Sequence, residues 1–193
     1  SGLAIGDICG LRFMLIPPRV SFRTSYRTHD SHGVEFILKK YRLFDRGFNK
    51  NGDFQNEYDL KSINGDKVVL DNATGLMWHQ NGSDKPMSWN DSMDWVKSLN
   101  SRGYAGYHDW RLPTVEEAAS LLESGKSNGR YIDTVFNKKQ SPIWTGDKYS
   151  SQGALLYVSF QRGSVGSAPI TNIASVRPVR SLKREPKSAI NLR

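Results

Sequence analysis

Cysteine is all but missing: Cys9 is the only one in 193 residues. No disulfide can form within the chain, so the fold has to stand on its packed core, as suits a reducing compartment without requiring one. Long apolar runs are missing too. The most apolar N-terminal piece, Phe13 to Ile16, sits between Arg12 and Pro17-Pro18, far short of the ~20 residues that a membrane span needs. No signal-peptide pattern is visible, but the chain opens Ser1-Gly2 without Met, so that absence carries little weight.

Catalytic and metal-binding patterns are equally thin. His29 and His32 lie three apart with no Cys near them to complete a ligand set, and the remaining histidines, His79 and His108, stand alone. A zinc site is not expected from that set. There is no Gly-x-x-x-x-Gly-Lys phosphate loop and no nucleophile elbow. The loop from Asp45 to Asp53 looks at first like a calcium loop. With Gly52 in the sixth place, however, Gly47 would stand first and Tyr58 twelfth, and neither supplies the ligand required. A turn-rich connector is expected instead, and neither a cofactor nor an enzymatic activity is expected of the chain.

Hydrophobic residues make up 37% and charged residues 24%, the balance of an ordinary soluble domain with enough chain for a core. The net charge of +8 invites a nucleic-acid reading, but its distribution argues against one. Residues 1–62 carry 10 Lys/Arg against 7 acids, residues 63–182 carry 13 against 11, and residues 183–193 carry 4 against 1. No basic stripe crosses the chain. The densest cluster, Lys183-Arg184-Glu185-Pro186-Lys187, reads as a solvated tail, and no specific nucleic-acid partner is expected.

Periodicity places the elements. Leu11 to Ile16 fits an edge strand that Pro17-Pro18 ends. Ser31 to Phe44 fits a helix, with Val34, Ile37, Leu38 and Tyr41 on one face. Val68-Val69-Leu70 and Leu76-Met77-Trp78 flank Asp71-Asn72-Ala73-Thr74-Gly75, a hairpin in which Gly75 supplies the positive φ. Ser88 opens a second helix to about Asn100, burying Trp89, Met93, Val96 and Leu99, with Gly103 beyond its end. Then comes Asp109-Trp110-Arg111-Leu112-Pro113-Thr114. Pro113 keeps Leu112 extended, Thr114 caps the next helix, and Glu117 completes a capping box. Glu116 and Glu117 suit the first turn of that helix, and Ala118, Leu121 and Leu122 form its apolar stripe. Arg111 with Asp109 reads as a structural ion pair, and Trp110 and Leu112 as buried. Further on, Tyr131-Ile132 and Phe136 are apolar, Leu155 to Phe160 and Ser164-Val165 flank a turn at Gln161-Arg162-Gly163, and Ala174 to Val179 fits a last strand. All five tryptophans fall between residues 78 and 144, which marks the core.

The run Gly106 to Thr114 with Glu117 resembles the Arg-Leu-Pro-Thr-x-x-Glu signature of the formylglycine-generating-enzyme branch of the C-type-lectin-like fold. Its longer Asp-Trp-Arg-Leu-Pro-Thr form is similar to the Lcl C-terminal-domain family of bacteria and archaea. Asp71 to Trp78 and Ser175-Val176-Arg177-Pro178-Val179-Arg180 agree, so the resemblance covers roughly residues 63 to 182. It implies an α+β fold with two helices packed on small twisted antiparallel sheets, without disulfides. It also divides the chain into an N-terminal extension (1–62) with one helix, a C-type-lectin-like domain (63–182) and a basic tail (183–193). Formylglycine chemistry needs a cysteine pair that the domain lacks, which disfavours an oxidase. Trp89-Asn90-Asp91 spells the calcium-ligand triplet of animal C-type lectins, but here it falls in the first turn of a helix, as a buried Trp with capping residues. The compartment stays open between cytoplasm and prokaryotic cell surface.

Binding is what remains. In this fold the C-terminal strands and their connections present the recognition surface, and residues 147 to 174 are rich in Ser, Gly, Tyr and Gln, as adaptable binding surfaces are. Stretches such as Ile143 to Lys148 and Val176 to Arg180 also resemble the ends of variable proteins diversified by retroelements. If Val158 and Phe160 point inward, alternation turns Tyr157 and Ser159 outward. The ligand-binding residues are then expected to be Tyr149, Leu155, Tyr157, Ser159, Gln161, Arg162, Ile170 and Asn172. Tyr149, Tyr157 and Arg162 are expected to be exposed and close together. The partner is expected to be a macromolecule or a glycan, with an adhesin for anionic glycans as the alternative.

Overall fold

A computed structural model describes residues 4–8, 11–15, 19–139, 142–150 and 153–182, the first two spans as backbone alone. Cys9, Pro17-Pro18 and the basic tail lie outside the described residues. The architecture is α+β. Strands β1 (Ala4–Ile8) and β2 (Leu11–Leu15) pair as an antiparallel hairpin. They are followed by β3 (Thr28–His29), α1 (Ser31–Lys40), β4 (Tyr58–Ile63), β5 (Asp66–Asp71), β6 (Leu76–His79), α2 (Trp89–Ser101) and α3 (Val115–Ala119). The chain closes with β7 (Ile143–Tyr149), β8 (Leu155–Ser159), β9 (Ser164–Ala168) and β10 (Val179–Ser181). Two four-stranded sheets result, in the orders β10-β6-β5-β4 and β3-β7-β8-β9, antiparallel except for the β3–β7 pair.

Local signals in the sequence become these elements directly. The Asp30 side chain caps α1 by accepting from the Gly33 N–H. The helix stops at Lys40 rather than reaching Phe44, because Arg42 turns into the left-handed region at φ 58°; Leu43 and Phe44 are still buried in the loop beyond. In the β5–β6 turn the buried Asp71 carboxylate accepts from the Ala73 N–H and the Thr74 hydroxyl, and Gly75 takes φ 68°. Ser88 caps α2, and Gly103 beyond it has φ 69°. The Asp45 loop is indeed a connector, pinned where its carboxylate accepts from the Gly47, Phe48 and Val165 N–H groups.

The β10-β6-β5-β4 sheet is covered on both faces, which period-two alternation makes possible. Val69, Leu76, Trp78 and Val179 enter the main core with Leu38, Leu121, Leu156, Val158 and Phe160. Val68, Leu70 and Met77 enter a second core with Val96, Leu99, Tyr104, Trp110 and Leu112. The tryptophans therefore spread over several clusters rather than one. Residues 19–62 are built into both sheets through β3 and β4, and residue 62 falls inside β4.

Helix α3 departs from the amphipathic expectation. It has only five residues, all of them buried, and Leu121 and Leu122 belong to the turn that follows. Its capping box is present: the Thr114 hydroxyl accepts from Glu117 N–H, and Glu117 Oε2 accepts from Thr114 N–H at 2.8 Å. The expected Arg111–Asp109 pair is corrected. Arg111 instead donates to both Glu117 oxygens, at 2.6 and 2.7 Å, while Asp109 pairs with Arg180 at 2.7 and 3.2 Å. The reason is the Arg111–Val179 bridge, whose two backbone hydrogen bonds bring β10, and with it Arg180, alongside this loop. The last strand is likewise shorter than expected. Residues 174 and 175 make single bridges to Met87 and Ile143, and β10 proper starts at Val179.

Trp110 is 2% exposed, with its indole donating to Tyr104 O and its backbone N–H bound to Asn100. Trp110→Ala should therefore lower unfolding free energy by about 3–5 kcal/mol; an unchanged denaturant midpoint would show that the loop does not organise the second core. A pH effect follows from His79, stacked on Tyr104 at 4.1 Å. Burial, with the charges of Arg177 and Arg102, lowers its pKa from 6.5 to about 3. Between those values the unfolded chain takes a proton that the folded one refuses. His79 therefore leaves stability intact above pH 6.5 and removes it as pH falls towards about 3. By about pH 4 the loss should reach ~3 kcal/mol, and His79→Gln should lose less over the same range; parallel pH profiles of the two proteins would contradict it.

Candidate functional site

The β8–β9 hairpin closes through residues 160–163, where Gly163 at φ 70° donates to Ser159 O and the Ser159 hydroxyl accepts from Arg162 N–H. One face of β8, with Leu156, Val158 and the adjoining Phe160, fills the main core as alternation requires. The other face is not simply turned to solvent. Residues 169–174 fold back across it, held by paired backbone hydrogen bonds between Ala174 and Met87.

That cover sorts the expected residues. Tyr157 is half-buried, edge-on to Trp144 at 6.5 Å, and lies so close over Gly166 that a Cβ there would come within 2.5 Å of its ring. Ser159 is 5% exposed. Gln161, Arg162 and Asn172 are exposed. These five, with Trp144 and Ile173, border one cavity of about 380 Å³. Leu155 is corrected: at 1% exposure it packs with Trp144, Ala168 and Ala174 beneath the surface. Tyr149 is corrected as well. It sits at the far end of β7, half-buried against the main core, and away from Tyr157 and Arg162. Ile170 is 46% exposed beside the cavity, outside its lining. Sequence reasoning missed Trp144 and Ile173, the latter 63% exposed; an isoleucine directly after the polar pair Thr171-Asn172 was the available signal.

The cavity is bordered by neutral polar groups and one cation. Its polar tips are amides, hydroxyls and the Arg162 guanidinium, and its lining contains no carboxylate, histidine or cysteine. Trp144, itself buried, borders the cavity while its indole N–H donates to Met87 O. A densely paired charged cluster lies elsewhere. Arg23 donates to Asp147 at 2.9 and 2.5 Å and to Glu116 at 2.7 Å, and sits 3.0 Å from His29 Nε2. Asp147, fully buried, also accepts from the Arg27 and Val115 N–H groups. Burial raises the Glu116 pKa and lowers that of His29. This cluster fastens residues 23–29 over the start of α3. Among the described residues no three His, Cys, Asp or Glu side chains gather to hold a metal ion. Among the described residues, no helix is long and apolar enough to cross a membrane.

The division between cavity rim and support is testable by stability. Leu155→Ala should cost about 2–5 kcal/mol, whereas Arg162→Ala and Asn172→Ala should stay within ~0.5 kcal/mol. Thermal melts that rank these the other way would move the recognition surface elsewhere.

No curated protein matches the chain. Residues 67–180, from the second residue of β5 into β10, match the Lcl C-terminal domain. That span is more than half of the sequence, and the chain belongs to the Lcl C-terminal domain family.

Proposed function

We propose that this chain is a non-enzymatic binding module that recognises a macromolecular or glycan ligand beside the β8–β9 hairpin. One observation carries this reading: Tyr157, Gln161, Arg162 and Asn172 converge with exposed Ile173 on a single cavity. Aromatic surface gives contact area at small entropic cost, and a guanidinium gives a forked donor, the pairing that most often dominates interface energies. We further infer a C-type-lectin-like architecture of the formylglycine-generating-enzyme type. The family match, the capped helix after the Pro-locked turn and the two small sheets support it. Diversification of residues 147–180 by a retroelement belongs to the same proposal. A reverse transcriptase gene beside a near-copy of those codons is expected, and a neighbourhood without either would remove that part.

Binding itself is tested on a glycan array and a displayed-peptide library. The triple variant Gln161→Ala, Arg162→Ala, Asn172→Ala should keep the wild-type melt and lose at least about tenfold in affinity for the hits. Undiminished binding would overturn the reading. A second reading, an adhesin for anionic glycans, is favoured by the cations near Arg162. Arg46 donates to Arg162 O, and Arg46 and Lys126 lie 5.6 and 5.2 Å from the Tyr131 ring centre. Heparin affinity falling steeply with salt would support that reading, and salt-independent affinity would remove it.

A further inference from the structure

A second cavity, of about 430 Å³, lies between the β4–β5 turn, the loop after β6 and helix α2, and shares no lining residue with the first. Its floor is His79, 5% exposed, which stacks on Tyr104 at 4.1 Å and lies 5.9 Å from the half-buried Trp95. The tautomer of this histidine is fixed by the loop. Gly82, at φ 66°, donates its N–H to Nδ1 at 2.8 Å. Nδ1 is therefore the acceptor and Nε2 carries the proton. The ring itself borders the cavity. With a pKa lowered by burial to about 3, the ring stays neutral at ordinary pH. His79 is thus a fixed, uncharged donor rather than a base.

The rim narrows the choice of ligand. Asp66 and Asp84 stand against Lys67 and Arg102, so the lining carries balanced charge and favours neither an anion nor a cation. Trp95 offers a flat apolar face, while the carboxylates accept and the cations donate hydrogen bonds. A ligand that fits must be uncharged, present an acceptor oxygen to Nε2–H, bear several hydroxyls and have one face of C–H groups. Sugar rings combine those four properties. The volume falls in the range of small-molecule sites, and a few convergent polar groups beside aromatic walls are their usual construction.

We propose that this cavity is a second ligand site that binds a neutral sugar ring, held by Trp95 against one face and by the His79 Nε2–H donor from below.

The test is a titration of 15N-labelled protein with methyl glycosides of glucose, galactose, mannose and N-acetylglucosamine, with inorganic sulfate and spermidine as parallel arms. At least one glycoside should give saturable shifts at Gly82, Ser98 and the Trp95 indole, with none at Tyr157 or Gln161. Trp95→Ala should weaken that binding at least about tenfold, as loss of a stacking anchor does. Asp84→Asn, on the exposed rim, should weaken it without changing the melt, which keeps the test valid should Trp95→Ala fail to fold. The proposal is overturned by no saturable shift with any glycoside, by wild-type affinity in Asp84→Asn, or by tighter binding of sulfate or spermidine at the same residues. It is independent of the β8–β9 reading, whose failure would leave these shifts in place.

Discussion

A five-residue helix buried on every side sets the terms for this molecule. Alone, α3 would not form, since a single turn fixes several residues for one or two hydrogen bonds. Its leading N–H groups, sealed from water, also need acceptors from elsewhere. Two carboxylates provide them: Glu117 takes Thr114 N–H and Asp147 takes Val115 N–H. Both also lie where the helix dipole favours negative charge. Buried carboxylates then need cations, and Arg111 and Arg23 supply them. Leaving either acid unpaired would cost several kcal/mol, so Arg23 and Asp147, both distant in the chain, are tied to one turn of helix.

The rest of the architecture follows from that knot. Asp147 lies on β7, so pairing it with Arg23 draws residues 23–29 across and lets β3 run parallel beside β7. Pro113 and Arg111 lead out of the knot into the bridge with Val179, which places β10 next to β6. Helix α3 itself packs with Leu156, Val158 and Phe160 in the main core. The β8–β9 hairpin is consequently mounted beside this ionic cap. A chain with a single cysteine can hold a surface hairpin steady in this way, because the hairpin inherits the rigidity of a buried ionic cap.

Signals confined to a few neighbouring residues were legible in the sequence. The Thr114–Glu117 box, the Asp71–Gly75 turn, the Ser88 cap and Gly103 all depend on contacts within one turn, and spacing alone reveals those. Partner choice across the fold was not legible. Arg111 has an acid two residues before it and two just inside the next helix, and only the path of β10 decides among them. The same holds for β8. Alternation correctly turned Val158 and Phe160 inward, but Leu155 is buried as well, because Trp144, Ala168 and Ala174 pack on it. A polar, glycine-rich stretch gives no hint of that cover. Asp147 was hidden for a similar reason: it opens a segment whose composition reads as surface, yet it is fully buried.

How the buried ionisable groups are used bears on what the surface can do. Asp45, Asp71, Asp147 and Glu117 give their oxygens to backbone N–H groups, a hydroxyl or a guanidinium within the fold. Arg177, fully buried, donates to the carbonyls of His79, Gln80 and Asn137 rather than to an acid. His79 has its basic nitrogen occupied by Gly82. Proton-transfer groups are thus spent on holding loops in place, while the hairpin cavity presents amides, hydroxyls, aromatic faces and one guanidinium. Such tips can exchange hydrogen bonds with a ligand, which is the use that the proposed binding function makes of them. A surface so composed can change its side chains without touching the acid and arginine pairs beneath it, and the proposed function asks that separation of its scaffold.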